Sequence, residues 1–294
     1  MSGPLPIVLF GAAGGLGRRV LASMPGDCEV IPVDRVLDPP YDLANPADLR
    51  ELAKRLPRRL IGINVTGAVS TAVDPDAVAA SVRNNIQSTG VIVSGLGDRL
   101  EHFVHLSSIS VYGSPSANPI AEDHPLRPNS VYGVSKSAGE LLVKALCSSL
   151  DSSLSVIRAT QLFALPSAHD ALPHLLARRL RGGETPQLTA DPRTRRDYLH
   201  VDDAARLIVQ AALTRRAGTF NAGSGGGVLL GELFAAAYKA AGRSPAAAPS
   251  AGRDTSQWLD IRAAQEAFDW TPVESVMDWV CTAIDSRRLS DAAH

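Results

Sequence analysis

Tyr132-Gly133-Val134-Ser135-Lys136 sets a phenol and an ammonium four residues apart. In a helix that spacing brings both side chains to one face. Tyrosine, with an ordinary pKa of roughly 10, is a weak base at neutral pH. A lysine cation beside it favours the phenolate, and an oxidised nicotinamide ring adds to that. Such a pair can take a proton from an alcohol while hydride leaves for a dinucleotide, and return it in the reverse direction. Upstream, Ser107-Ser108-Ile109-Ser110-Val111-Tyr112-Gly113 follows an apolar stretch and sets hydroxyls where a strand should end. Ser108 or Ser110 there can donate to, or accept from, the oxygen that the tyrosine titrates. A surface Tyr/Lys pair and a serine-rich turn look the same in isolation, so the chemistry depends on what the chain places around them.

The first turn of the chain supplies that context. Ile7 to Phe10 is a short apolar run that ends in Gly11-Ala12-Ala13-Gly14-Gly15-Leu16-Gly17, before helix-like residues from Arg18 to Met24. The order is strand, glycine loop, helix. Gly11 permits the sharp exit, Gly14 lets backbone approach a pyrophosphate, and Gly17 lets helix and strand pack closely. The helix start at Gly15, Leu16 and Gly17 offers N–H groups and partial positive charge to phosphate. A second apolar run, Cys28 to Val33, ends at Asp34, 17 residues beyond Gly17. An acid there hydrogen-bonds both hydroxyls of an adenosine ribose and repels a 2′-phosphate, which favours NAD. Arg35 follows it and could pair with that phosphate, so NADP stays open as the alternative cofactor.

Composition fits a soluble enzyme. The chain has 294 residues, 45% of them hydrophobic, enough to bury one large core or two closely packed ones. A formal charge of −1 argues against a nucleic-acid partner. Cys28, Cys147 and Cys281 are an odd number without metal-ligand spacing, so no metal is expected, and they read as thiols of a reducing compartment. The N-terminal apolar run is too short for a signal peptide, and no stretch approaches the roughly 18 to 20 apolar residues that span a membrane. The expected location is the cytoplasm, with no membrane partner. There are 25 arginines and four lysines, which makes each lysine worth a question.

Strand-like and helix-like segments alternate through the first half. Tyr41 to Leu43 reads as a short strand, Pro46 to Leu56 as a helix capped by Asn45, and Leu60 to Val65 as a strand running into Thr66-Gly67-Ala68. A long helix is predicted over Pro75 to Leu96, a strand over His102 to Leu106, a helix over Ser130 to Leu150 and a strand over Leu154 to Arg158. This alternation implies crossover connections, hence an α/β fold: a Rossmann-type doubly wound parallel sheet with both faces covered. Beyond Ala159 the pattern loosens. Helices are predicted over Ala171 to Arg181, over Ala204 to Leu213 with Asp202 as cap, over Leu229 to Ala241, near Arg262 to Phe268 and over Val273 to Ser286. A hairpin is expected over Gln187 to Tyr198 around Asp191-Pro192, and a strand ending at Phe220. The expected division is a dinucleotide-binding domain over 1–165 with 196–222, and a smaller mixed α/β substrate-binding portion over 166–195 with 223–290.

In this order of motifs the chain resembles the extended short-chain dehydrogenase/reductases, specifically the nucleotide-sugar epimerase, dehydratase and reductase group, from Ile7 to about Pro272. The family's glycine loop matches Gly11, Gly14 and Gly17, its ribose acid Asp34, and its adenine-side Asp-Leu Asp42 and Leu43. Its N-x-x-G-T element is similar to Asn85 to Thr89, and its S-S-x-x-V-Y-G matches Ser107 to Gly113, with Ser108 in the catalytic place. Tyr132 and Lys136 fall on the catalytic pair, and Arg196 to Asp203 on R-D-Y-x-H-V-D-D. The resemblance implies a cofactor site that includes Thr66, Gly67, Asn85, Tyr132 and Lys136, the lysine holding the nicotinamide ribose. It also implies a substrate site of Ser108, Ser110, Gln161, Arg196 and Arg253, with the two guanidinium forks gripping a diphosphate. His200 is expected to hold a strand-to-helix junction.

Departures from the pattern narrow the reaction. The family's 4,6-dehydratases carry Asp-Glu after the catalytic Ser/Thr, and this chain has Ile109 and Ser110, which argues against dehydration. The His-x-Ala-Ala after the fourth strand reads Asn64-Val65-Thr66-Gly67, and Gln161 replaces the nucleotide-contacting Asn. The expectation is NAD(P)-dependent oxidoreduction at a sugar carbon, C4 first, of a nucleotide-linked hexose, as a 4-epimerase or a 4-ketoreductase. The alternatives are a dehydrogenase of free sugars or sugar acids and a dinucleotide-binding sensor without turnover. The resemblance further implies a homodimer through the helices 75–96 and 130–150, where Val78, Val82, Ile86, Leu142 and Val143 are candidates for the interface.

Overall fold

Ile7, Val8, Leu9 and Phe10 are all buried, as in a strand covered on both faces. They form β1 (Ile7–Phe10) in a computed structural model that describes residues 5–70, 72–115, 117–164, 171–245 and 255–285. The chain continues through α1 (Gly15–Ala22), β2 (Val30–Val33), α2 (Pro46–Ala53), β3 (Leu60–Asn64), α3 (Pro75–Ser81), a π turn over Val82–Gln87 and α4 (Ser88–Leu96). Then come β4 (Leu100–Ser108), α5 (Val131–Ser149), β5 (Ser153–Ala159), β6 (Gln161–Phe163) and α6 (Leu172–Arg181). The remainder is β7 (Arg195–Arg196), β8 (Tyr198–His200), α7 (Val201–Thr214), β9 (Gly218–Ala222), β10 (Val228–Leu229), α8 (Leu230–Ala240), α9 (Arg262–Phe268) and α10 (Val276–Ile284).

The main sheet is six-stranded with the order β2-β1-β3-β4-β5-β9, and every pairing in it is parallel. This is the expected α/β, Rossmann-type architecture. The chain leaves β1 on one side for β2 and returns on the other as β3, so the loops after β1 and β3 diverge and open a crevice at the switch point. Phe10 pairs with both Val33 and Asn64, which lets the glycine turn, Asp34 and the loop after Asn64 leave the sheet at one level. Side chains alternate across the sheet. Ile7 and Leu9 join Val20, Leu207, Ile208 and Ala264 on one face. Val8 and Phe10 join Leu49, Ile92 and Val143 on the other. A third cluster packs α6, α8 and α10 around Phe163, Tyr198 and Tyr238.

Several local expectations are corrected. Residues 41–43 form no strand, because Asp42 bonds locally: its Oδ1 accepts from Ala44 N at 3.1 Å and its own N–H donates to Asp48 Oδ2 at 2.8 Å. Such side-chain bonds turn the chain instead of extending it. The hairpin over 187–198 does not form either. Asp191 does close a turn, with Thr194 N on its carbonyl at 3.0 Å, but β7 pairs antiparallel with β10 and β8 parallel with β6. The turn chemistry was local, and the strand partners are distant in sequence. Asp202 is not the cap of α7; the ring of His200 is, with Nδ1 accepting from Asp202 N at 3.2 Å. Asp202 instead ion-pairs with Arg19 of α1. The helix predicted over 75–96 is continuous but carries the π turn, and α10 starts at Val276 because Ser275 caps it.

Gly17 is the tightest point of the first crossover. A Cβ there would lie 2.0 Å from Gly11 O and 2.8 Å from Ala12 Cα, so α1 can approach the turn only without a side chain. Gly17→Ala is expected to lower stability by about 1–3 kcal/mol, as overpacking does, measured by thermal or denaturant unfolding. An unchanged unfolding curve contradicts the close packing of α1 on the turn.

Candidate active site

The glycine turn is held in place by backbone. Gly11 has φ +87°, a conformation that glycine adopts without penalty, and its N–H donates to Val33 O at 3.0 Å. Gly14 stands at the N-cap of α1 and supplies no side-chain cap. The amides of the first turn, at Gly15, Leu16 and Gly17, are thus arranged as an anion site. Asp34 faces this turn: its Oδ2 accepts from Ala13 N at 3.2 Å, and its Oδ1 from Val36 N at 3.4 Å. Arg35 beside it is exposed.

Across the crevice the loop after β3 is tied to two helices. Buried Asn64 accepts through Oδ1 from Thr66 N at 3.0 Å and from Thr66 Oγ1 at 2.6 Å. Asn85, in the π turn, accepts from Ala68 N at 2.9 Å and donates to Ala68 O at 3.0 Å. Its amide also donates to Ser135 Oγ of α5 at 2.8 Å. A Cβ on Gly67 would stand 3.1 Å from Asn85 Oδ1 and 3.8 Å from Lys136 Nζ. Asn85 therefore acts by fixing Thr66 to Ala68 against α5. At the outer edge Asp42 ion-pairs with Arg83 of the π turn, while Leu43 packs into the core.

Ser108, Tyr132 and Lys136 meet because of one close contact. Ser130 caps α5 through Gly133 N at 3.1 Å, and a Cβ on Gly133 would fall 2.5 Å from Ser110 O. The first turn of α5 thus lies directly on the turn after β4. Ser108 accepts from Ser110 N at 3.2 Å and donates to Ser110 Oγ at 3.3 Å. Burial pushes the Tyr132 phenol above its ordinary value, and the hydrogen bond from the Ser108 side opposes this. Lys136 is 3% exposed and donates to Leu106 O at 2.5 Å. Burial pulls its ammonium down to about 8, against the attraction of Glu140. The two side chains share a face of α5, but it is Ser108 that adjoins the phenol, and the ammonium lies on β4 beside the loop from β3.

Sequence reasoning missed the layer beneath this triad. Glu140 of α5 is fully buried and receives Arg158 of β5 through Nε at 3.0 Å and Nη2 at 2.9 Å. Arg158 Nη1 also donates to Tyr112 Oη at 2.9 Å and Glu122 O at 2.8 Å. Tyr112 passes its own proton to Asn221 Oδ1 at 2.8 Å. Burial works against the Glu140 carboxylate, but Arg158 more than offsets it and holds it below the usual range. A signal was present: an arginine in a strand buried along its inner length, and an acid one turn beyond Lys136.

On the substrate side, Ser110 is half-buried, and Gln161 is exposed at the start of β6. Arg196 bonds to the backbone and hydroxyl of Thr255, not to Asp197 or Asp203. Asp197 is buried and accepts from Ser224 N at 2.8 Å, Ser224 Oγ at 2.6 Å and Leu259 N at 3.0 Å. That makes it the anchor of the loop after β9. Arg253 lies outside the described residues. Among the described residues no group of three or more metal-ligating side chains converges, and no helix is long and apolar enough to cross a membrane.

A sequence model described as the NAD dependent epimerase/dehydratase family matches residues 7–223. The chain belongs to that family. It is 33% identical over 154 residues to a dTDP-glucose 4,6-dehydratase of Actinoplanes sp., covering 51% of this chain and 48% of that protein. It is 29% identical over 190 residues to a UDP-glucose 4-epimerase of Mycolicibacterium smegmatis, covering 62% and 61%. The chain thus spans about half the length of the first of these curated relatives. Among solved structures, MoeE5 in complex with UDP-glucose and NAD superposes with a TM-score of 0.81 at 25% identity, over 97% of this chain and 99% of that one.

Family members of this kind are NAD-dependent enzymes, and the residues here fit the cofactor. The turn that a Cβ at Gly17 would fill, the uncapped start of α1 and the acid at the end of β2 form a dinucleotide cradle. Gly14 to Gly17 would hold the pyrophosphate, Asp34 the adenosine ribose and Lys136 the nicotinamide ribose. With Lys136 in that role, the sign of its titration sets the pH response: the cation is present below about pH 8 and lost above it. NAD affinity is expected to be level through neutral pH and to fall above about pH 8. Binding titrations followed by fluorescence check this, and a Lys136→Met variant should show no such alkaline limb.

Proposed function

We propose that this chain catalyses NAD-dependent oxidoreduction at C4 of a nucleotide-diphosphate sugar, as a 4-epimerase or 4-ketoreductase. The observation that carries the reading is the placement of Ser108, Tyr132 and Lys136 together at the carboxyl end of β4, beside the crevice between β1 and β3. Bound NAD supplies a hydride acceptor and donor. Tyr132 takes the proton of the sugar hydroxyl and gives it back to the ketone oxygen. Ser108 hydrogen-bonds the same oxygen and steadies the change in charge. Lys136 orients the cofactor through its ribose, and Ser108 is the group beside the phenol.

Ile109 and Ser110 stand where a dehydratase of this family needs an acid and a base, so the dehydratase relatives are matched in fold and cofactor rather than in reaction. Asp34 favours NAD over NADP by like-charge contact with a 2′-phosphate. Arg196, at the end of β7, pairs with the substrate diphosphate, and Arg253 is assigned with it from the sequence. The dinucleotide-binding domain comprises 1–165 with 196–222, and the substrate portion 166–195 with 223–290. The three thiols without a disulfide support a cytoplasmic location.

The enzyme acts as a homodimer through the helical face built from the π turn and α5. Val82, Val134 and Leu141 are 48%, 52% and 64% exposed there. Val143, by contrast, is buried in the core, so it does not belong to the interface expected from sequence, while Leu142 is half-buried against Gly90.

Tyr132→Phe tests the assignment of the proton-transfer group. It is expected to keep folding and NAD affinity while lowering turnover of UDP- or dTDP-hexoses by roughly 10² to 10⁴. Turnover close to wild type rejects it. Light scattering at micromolar concentration is expected to give twice the chain mass, and Leu141→Glu to give the monomer; a monomeric wild type rejects the dimer.

A further inference from the structure

Of the four lysines in the chain, Lys54, Lys144 and Lys239 are exposed, and Lys136 is buried. A buried ammonium is stable only if something compensates it. We propose that Glu140 is a positioning residue of the active site: from one helical turn away it keeps Lys136 protonated, while Arg158 holds Glu140 in place from the other side.

The neighbours of Lys136 leave this role to Glu140. From β4 comes the Leu106 carbonyl, a dipole at 2.5 Å. His105 packs between β4 and α5, and burial together with the cations of Lys136 and Lys144 holds it well below its ordinary pKa, so it brings no charge. The hydroxyl of Ser107 faces Glu140. On α5, Lys144 is a like charge at the surface, 3.6 Å from Glu140. Arg158 of β5 is pinned on both Glu140 oxygens and on Tyr112. Among the described residues Glu140 is thus the anion that opposes the desolvation of Lys136, and it does so with its carboxylate locked. The bidentate fork gives Glu140 one orientation, which a lone surface carboxylate does not have.

The proposal rests on the reading above only in that Lys136 serves the cofactor; the coupling itself belongs to the apoprotein. Protein labelled with ¹³C and ¹⁵N in lysine gives four ε-methylene signals, and Lys136→Met identifies the one of interest. Titrating the apoprotein, Glu140→Gln is expected to lower the Lys136 midpoint by about one to two pH units, the scale of one close opposite charge, and to leave the other three in place. An unchanged Lys136 midpoint overturns the proposal, since a Glu140 that merely paired Arg158 would not move it. If that variant does not fold, Glu140→Gln with Arg158→Met removes both buried charges and leaves no unpaired ion; a lowered midpoint supports the coupling and an unchanged or raised one overturns it. NAD binding separates the two readings. A lowered midpoint with an equally shifted alkaline limb of NAD affinity supports both. A lowered midpoint in a protein whose NAD affinity has no alkaline limb supports the coupling and rejects the cofactor role of Lys136.

Discussion

Lys136, Glu140 and Arg158 bring full charges into the contact between α5 and the sheet, where water cannot reach them. A buried ion pair gives little net stability, but removing one partner typically costs about 3–5 kcal/mol. The contact is therefore permissive in one register and costly in any other. If α5 slid by one residue, Glu140 would leave the fork of Arg158 and Lys136 would leave the Leu106 carbonyl. The same register places Gly133 on the Ser110 carbonyl and so brings Tyr132 to Ser108. The polar layer beneath the site fixes the geometry of the site above it.

The second constraint is the pairing of β1 with β3, whose following loops diverge. Gly11 and Thr66 touch at the divide, since a Cβ on Gly11 would lie 3.1 Å from Thr66. The two loops form opposite walls of one crevice, and each is held from behind. The Asp34 carboxylate bonds the glycine turn, and Asn85 bonds the loop of Thr66 to Ala68. Further out, the ion pair of Arg19 with Asp202 ties α1 to α7, which follows β8. The last turn of α1 is thereby anchored to the first turn of α7.

Much of this was legible in the sequence where the signals were local and repeated. Glycine spacing, the acid after the second apolar run, and the helix cap at Asn45 follow from backbone chemistry within a few residues. Pairing was less legible. Nothing near Arg195 says that its strand partner lies at Leu229, and Asp42 reads as strand until its bonds to Ala44 and Asp48 are known. Buried charge was the hardest to read, because Glu140 and Arg158 each look like a surface residue until the fold brings them together. His200 is an intermediate case: its place at a strand-to-helix junction was readable, whereas its cap through the ring nitrogen was not.

The π turn over Val82–Gln87 has a consequence for how this helix came to serve two surfaces. A π turn holds one more residue than the α-helical turn it replaces, and one residue is about 100° of helical rotation. Residues before and after it are thus out of phase. From Asn85 onward, Thr89, Ile92 and Leu96 follow at offsets of four, seven and eleven residues, one face of a helix, and all four are buried, so Asn85 heads the core stripe and reaches the loop after β3 from there. Deleting a single residue before Asn85 would rotate α3 by about 100° relative to that stripe. The irregular turn is a phase shift between α3 and the stripe that begins at Asn85, and that stripe meets the loop after β3 at its head and the core along the rest.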